Sequence, residues 1–436
     1  MSLQGKHVAI LGIGRSGRAA ASLALREGAS VSAWDQVGPS AFIGLAKEVE
    51  VHAFTDAAAG EQCVCDLLIV SPGIDTYGPL VAAFSKQAGQ VIGEVEFAAR
   101  YYHGKIIGIT GTNGKTTTTD IVSKILSHAG LGGPACGNYG VPLAEIVMQP
   151  NHPEAIALEL SSFQLETIHQ LRPDVAVWLN FAADHMDRYT SLEIYRAAKM
   201  RIFENQSEAD VAIVRKGENL PQPKARVIEF STEHASTFWF SDGHTIYRDG
   251  NAWMNMEQHT HLRGMHNAEN AMAACAACEM LGIPAATIGQ ALLGYSPLAH
   301  RCELIRTLDG VEYLNDSKAT NLHALESALR SQTKPVVLIA GGKDKGLDYR
   351  ELVPLLQSKV IAAVTFGQIA RPLAEVFRSA TACDAVSTLA DAVPLARSLA
   401  PSGATVLLSP GTSSFDQFSG YEQRGNHFRD LVNQLI

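Results

Sequence analysis

The chain has 436 residues, 46% apolar and 18% charged, with a formal net charge of −9. On a scale of ~100–200 residues per domain, this predicts two to four domains with ordinary packed cores. The negative balance argues against a nucleic-acid groove or an anionic membrane surface, and no run of ~18 apolar residues is present to span a bilayer.

The N-terminus enters the strand-length run VAILGIG directly, without a signal-type apolar region, so a soluble cytoplasmic protein is expected. HVAILGIGRSGRAAASLALREGASVSAWD reads as strand, glycine turn, helix, a stop at Gly28 and a second strand. Gly12-Ile13-Gly14-Arg15-Ser16-Gly17 fits G-x-G-x-x-G, and Asp35 ends the next strand. Taken alone this motif suggests a nicotinamide or flavin site. The physics is broader, because a tight turn before a helix N-terminus accepts any diphosphate and a strand-end carboxylate accepts any diol. Cys65 to Ile74 gives a later apolar strand ending in Ser71-Pro72-Gly73.

Residues 105–118, KIIGITGTNGKTTT, are the most informative stretch. A buried strand (Ile106, Ile107, Ile109) runs into Gly111, Thr112, Asn113 and Gly114. Lys115 and Thr116 follow, opening a helix marked by Ile121, Val122, Ile125 and Leu126. This is the device that cradles nucleotide phosphates: glycines let backbone N–H groups approach, a lysine adds charge and a hydroxyl takes a Mg²⁺ position. The strict pattern places a glycine where this chain has Ile109, the nearest glycines being Gly108 and Gly111. A dehydrogenase reading of the first glycine motif leaves this second loop unexplained.

Strands are predicted at 155–160, 175–180 and 211–214, with turns at Asp242-Gly243 and Asp249-Gly250 implying an antiparallel patch. A helix follows over HNAENAMAACAACEMLGIP. Its Cys275 and Cys278 read as buried thiols, since no second pair at zinc spacing accompanies them, and the seven irregularly spaced cysteines predict no disulfide framework. Periodicity breaks at Tyr295-Ser296-Pro297, a hinge position. Beyond it, strands at 311–315, 335–342, 360–366 and 404–411 alternate with helices, implying a mostly parallel sheet covered on both faces.

Further stretches carry chemistry. LELSSFQLE (158–166) puts Glu159 at a strand end, where a carboxylate can face a Mg²⁺ held by Thr116. NFAADHMDRY (180–189) places His185 after the next strand, and YRAAKMRIFEN (195–205) is a helix carrying Lys199. GMHNAENAMAA contains Asn270, AHRCE contains Arg301, NDSKATN spans 315–321, and SFDQFSGYEQRGNHF spans 414–428.

Together these motifs resemble the Mur ligase family of ATP-dependent ligases over the whole chain, from Gly12 to Phe428. LSSFQLE, DHMDRY, YRAAK, NDSKATN and the DQF…E-RG-x-F ending look like the member that joins D-glutamate to UDP-N-acetylmuramoyl-L-alanine through an acyl phosphate. The resemblance implies an α/β protein of three domains. These are a Rossmann-like N-terminal domain for the UDP substrate (1–95), a central P-loop ATPase-type domain (96–298) and a Rossmann-like C-terminal domain delivering the amino acid (299–436). It implies ATP and two Mg²⁺ ions. ATP would be met by Gly111, Thr112, Asn113, Gly114, Lys115, Thr116, Thr117, Thr118, Asn270, Arg301 and Asp316. Metal would be held by Thr116, Glu159, His185 and a carbamylated Lys199, with Lys115, His185 and Lys199 serving catalysis. The UDP substrate would be met by Ser16, Asp35, Ser71, Asn138 and His185, and D-glutamate by Thr320, Lys345, Ser414 and Tyr421. A monomer without nucleic-acid or membrane partners is expected. Gln36 and Val37 stand where the family often has Thr or Ser and then Arg, and PGTSS (410–414) stands for a PACAS-like stretch.

Overall fold

A computed structural model describes residues 2–186, 188–262, 264–296 and 298–436. Of the expected hinge tripeptide, Pro297 lies outside the described residues. The chain forms three α/β sheets. The first two fall in one compact unit (Met1–Ser241, Ile246–Met254 and Glu269–Leu293), and the third falls in another (Asp242–Thr245, Asn255–Ala268 and Gly294–Ile436).

The first sheet is wholly parallel, in the order Val49–Ala53, Ser30–Asp35, His7–Leu11, Cys65–Val70, Ala88–Gly93. Alternate residues of His7–Leu11 face opposite sides: Val8 and Ile10 join one apolar cluster, Ala9 and Leu11 another. The intervening helix Arg15–Arg26 stops where Gly28 adopts φ +91, as its glycine predicts.

The central sheet has nine strands, with Lys105–Thr110 in the parallel part between Ala155–Glu159 and Val175–Trp178. That position buries the strand feeding the phosphate loop on both faces. Gly132–Gly137 pairs parallel to Ala155–Glu159 at one edge. Its sequence GGPACG has no strand propensity, and pairing alone makes it a strand. The expected antiparallel patch is present: Trp239–Ser241 pairs with Thr245–Arg248, and Asp242 Oδ1 accepts from the N–H groups of His244 and Thr245 in the turn. The Lys199 helix covers Leu192–Met200, with a 3₁₀ turn at Arg201–Phe203, and so begins and ends earlier than the 195–205 read from sequence. It starts at Leu192 because Ser191 caps it, accepting from the Ile194 N–H.

The third sheet runs Glu303–Leu308, Val311–Asn315, Thr405–Leu408, Val336–Gly341, Val360–Phe366, Ala382–Ala385; only the first pair is antiparallel. Leu338 and Ala340 pack into one cluster, Val337 and Ile339 into another, so helices cover both faces. Among the described residues no helix is long and apolar enough to cross a membrane.

Candidate active site

The Gly111–Gly114 loop is fixed in place by its neighbours. Gly111 and Gly114 adopt φ +152 and +85, conformations that a side chain disfavours. A Cβ at Gly114 would stand 2.2 Å from Asn270 Oδ1, so the loop seats directly on that amide. The segment after Val175–Trp178 clamps the other side. The Thr112 N–H donates to Asn180 O (3.0 Å), the Asn113 N–H to Asn180 Oδ1 (2.9 Å), and Asn180 Nδ2 returns a bond to Asn113 O (3.1 Å). Thr112 Oγ1 also accepts from the Ala182 N–H (3.0 Å). The helix Lys115–His128 starts at Gly114 without a side-chain cap, leaving its first N–H groups directed at the loop. Thr116 is half-buried, Thr117 and Thr118 are buried, and Thr118 Oγ1 donates to Asn270 Oδ1 (3.4 Å).

Two lysines converge here. Lys115 Nζ donates to Gly111 O (2.8 Å) and Thr112 O (2.9 Å), and Lys199 Nζ donates to the same Gly111 O (2.9 Å). Lys199 is 1% exposed, so it is no solvated helix lysine. Burial and the neighbouring Lys115 ammonium hold its amine well below the usual lysine value. Glu159 ends its strand 1% exposed; Oε1 accepts from Asn138 Nδ2 (2.6 Å), and Oε2 is buried with no hydrogen-bond partner. Such an orphaned carboxylate oxygen is costly unless a cation completes it, and this donor set fits a hard divalent ion. Among the described residues no three His, Cys, Asp or Glu side chains cluster as a metal site, so the fit rests on Glu159 and its mixed company. His185 adopts φ +56, its ring edge-on to Phe163 (4.9 Å) and Tyr195 (6.0 Å).

The motifs around the central sheet interlock. Glu166 of LSSFQLE accepts from Arg188 Nη2 (2.8 Å) and from the Tyr189 hydroxyl (2.5 Å), both of DHMDRY. Arg201, after Lys199, donates to the carbonyls of Leu165, Glu166 and Ile168. These bonds tie the segment after Glu159, the loop of His185 and the end of the Lys199 helix to one another.

At the first sheet, Ser16 sits on the helix and does not cap it; Gly14 holds the cap position with no side-chain bond. Asp35 binds the turn itself: Oδ2 accepts from the Ile13 N–H (2.7 Å) and Oδ1 from the Val37 N–H (2.8 Å). Ser71 Oγ donates to Gly12 O (2.6 Å). Arg15 Nη1 donates to Gly140 O (2.8 Å), joining this turn to the loop that carries Asn138. A small cleft lies beside Ser71, lined also by Pro72, Glu94, Phe163 and Gln164. Glu94 is fully buried there, and burial raises its carboxyl to about 7.

In the second unit, Arg301 lies between two residues of positive φ, His300 (+65) and Cys302 (+48). Asp316 Oδ1 accepts from the Cys302 N–H (3.2 Å) and Oδ2 from the Ser409 hydroxyl (2.9 Å); burial raises its carboxyl to about 7. Thr320 O accepts from Lys345 Nζ (3.4 Å), bringing those two predicted residues together. Ser414 is buried, and the Tyr421 ring lies 3.6 Å from Lys318 Nζ. Sequence reasoning quoted Asn180 and Arg424 only within motifs and gave neither a role of its own. Asn180 carried a faint signal, a polar residue ending the apolar run VAVWLN.

Residues 109–278 match the Mur ligase middle domain, and residues 300–411 match the Mur ligase glutamate ligase domain. The chain is 39% identical to the UDP-N-acetylmuramoylalanine–D-glutamate ligase of Geobacter metallireducens, covering 100% of this chain and 99% of the relative. It is 39% identical to the enzyme of the same name from Myxococcus xanthus, covering 100% of both. Its fold is similar to the Thermotoga maritima MurF ligase solved with ADP (TM-score 0.62, 16% identity, 98% of this chain and 95% of that one). It is also similar to UDP-N-acetylmuramate-alanine ligase from the same organism (TM-score 0.61, 17% identity, 98% and 99%). Full-length identity at this level, added to a phosphate loop served by two converging lysines, makes this chain a member of the Mur ligase family.

Proposed function

We propose that this enzyme joins D-glutamate to UDP-N-acetylmuramoyl-L-alanine at the expense of ATP, in cytoplasmic peptidoglycan-precursor synthesis. The observation that supports it most is the pair of lysines aimed at Gly111 O beside the orphaned Glu159 oxygen. Amide formation in water needs a carboxylate oxygen made into a leaving group. The substrate carboxylate attacks the γ-phosphorus, ADP departs, the acceptor amine attacks the acyl carbon, and phosphate leaves. The first step presses a carboxylate against a polyanion, so positive charge must already be concentrated there.

Lys115 and the first, uncapped N–H groups of the helix Lys115–His128 supply that charge at the phosphates. Thr116, Glu159, His185 and Lys199 would hold two Mg²⁺ ions, which when bound neutralise phosphate oxygens. A lysine whose amine is held well below its usual value is suited to carbamylation: the neutral Nζ adds to the carbon of CO₂ and releases a proton, giving an oxygen ligand in place of a cation. Asn270 serves ATP from behind the loop, and Arg301 and Asp316 serve it from the C-terminal domain. Ser16, Asp35, Ser71, Asn138 and His185 attend the nucleotide-sugar substrate. Thr320, Lys345, Ser414 and Tyr421 attend D-glutamate. We place the domain boundaries after Val95 and at 298.

Phosphate release with UDP-N-acetylmuramoyl-L-alanine, Mg²⁺-ATP and a panel of amino acids tests the reading. D-Glutamate is expected to drive release; release with L-alanine or a diamino acid but not D-glutamate would overturn it.

A further inference from the structure

Among the described residues Arg424 is the buried arginine of this chain, at 0% exposure. A buried cation ordinarily sits on a carboxylate. Here every side-chain hydrogen bond of the guanidinium ends on a neutral oxygen, and the carboxylates of Asp416 and Asp316 act on it only through space. Nε donates to Ser317 Oγ (3.0 Å), Nη2 to Ser317 O (2.8 Å), and Nη1 and Nη2 to Thr412 O (3.2 and 3.3 Å). Ser317 Oγ in turn donates to Tyr421 O, one turn earlier on the helix that carries Arg424 (2.9 Å). A Cβ at Gly342 would stand 3.2 Å from Nη1 and 2.3 Å from Ser413 O, so the loop leading to Lys345 closes over the same group. Burial lowers the guanidinium to about 10, which leaves it protonated at neutral pH.

The segments gathered by this fork are those that carry the acceptor residues proposed above. Ser317 precedes Lys318 and Thr320, Thr412 precedes Ser414, and Gly342 precedes Lys345. We propose that Arg424 is a positioning residue of the acceptor subsite, its planar fork setting the spacing of the 317–320 and 412–414 loops that would hold the two carboxylates of the amino acid. The proposal rests on the reading of those loops as the D-glutamate site. A lysine cannot replace it, because one ammonium does not span two carbonyls and a hydroxyl in a fixed plane.

The test uses the full-length enzyme with Arg424→Lys and, as a milder cut of the same network, Ser317→Ala. Steady-state constants for acceptor, ATP and sugar-peptide are measured beside melting temperature. Arg424→Lys is expected to raise the acceptor KM by about tenfold, Ser317→Ala by about threefold, with the ATP KM within about twofold of wild type. An unchanged acceptor KM with a lowered melting temperature, or a fall in kcat with every KM intact, would mean a purely structural arginine. Should Arg424→Lys not fold, Ser317→Ala decides by the same criterion. If wild type accepts another amino acid in place of D-glutamate, the parent reading fails and the KM split is read with that amino acid. If it accepts none, both fall.

Discussion

Two glycine turns in this chain have the same backbone plan and different chemistry. Each links a parallel strand to a helix: His7–Leu11 to Arg15–Arg26, and Lys105–Thr110 to Lys115–His128. In the first, Asp35 and Ser71 spend their oxygens on the turn's own backbone, through Ile13, Val37 and Gly12. In the second, two amines converge on Gly111 O and a carboxylate oxygen stands unpartnered nearby. The strand-turn-helix plan therefore makes an anion-accepting corner, while the side chains around it decide between holding a phosphate and reacting at one.

The largest effect that would sharpen this contrast is expected from Lys115→Ala, which should cut phosphate release by about a thousandfold or more. Binding weakened with turnover intact would break the contrast by making the second turn a mere binding loop. Lys199→Ala should cost about a hundredfold or more in kcat, and stripping bicarbonate from wild type should slow it while leaving the variant unmoved. Intact-mass measurement of the fresh enzyme checks the modification separately. Gly114→Ala puts a Cβ 2.2 Å from Asn270 Oδ1 at φ +85 and should destabilise the fold by about 1–3 kcal/mol in denaturant titration. By contrast, Asp35→Asn should raise the nucleotide-sugar KM about threefold to tenfold and spare the ATP KM. A loss matching that of Lys115→Ala would erase the distinction between the two turns.

The smallest effect concerns Glu94, whose carboxyl is raised from 4.5 to about 7 by burial. Between those values the folded state holds a proton that the unfolded state has lost, so stability falls as pH rises through that window and the loss is complete above about 7. Glu94→Gln carries no such charge. Its melting temperature relative to wild type should rise between pH 5 and pH 8, by an amount worth roughly 1–3 kcal/mol. A pH-independent difference would show that Glu94 is not protonated in the fold.

The phosphate loop was legible because its signal is local: an apolar run, glycines, lysine and a helical period lie within a few turns of chain. Glu159 was legible for the same reason, as an acid closing an apolar strand. The burial of Lys199 was not, since a helix position facing inward looks like one facing water until the partner loop at Gly111 is in place. Asn180 and Arg424 act on residues 67 and 107 positions away, a separation no periodicity encodes. The edge strand Gly132–Gly137 was missed because its residues resist extended structure and only its partner Ala155–Glu159 imposes it. Ser16 lies two residues past the cap position, which the turn gives to Gly14.

The carbonyl of Gly111 has a consequence for the molecule as a whole. One oxygen can receive two N–H donors, yet two full charges drawn to it repel each other, so the fold taxes the second proton. Burial and that repulsion together disfavour the proton on Lys199, and the one proton it yields takes the protein a single charge below its formal −9.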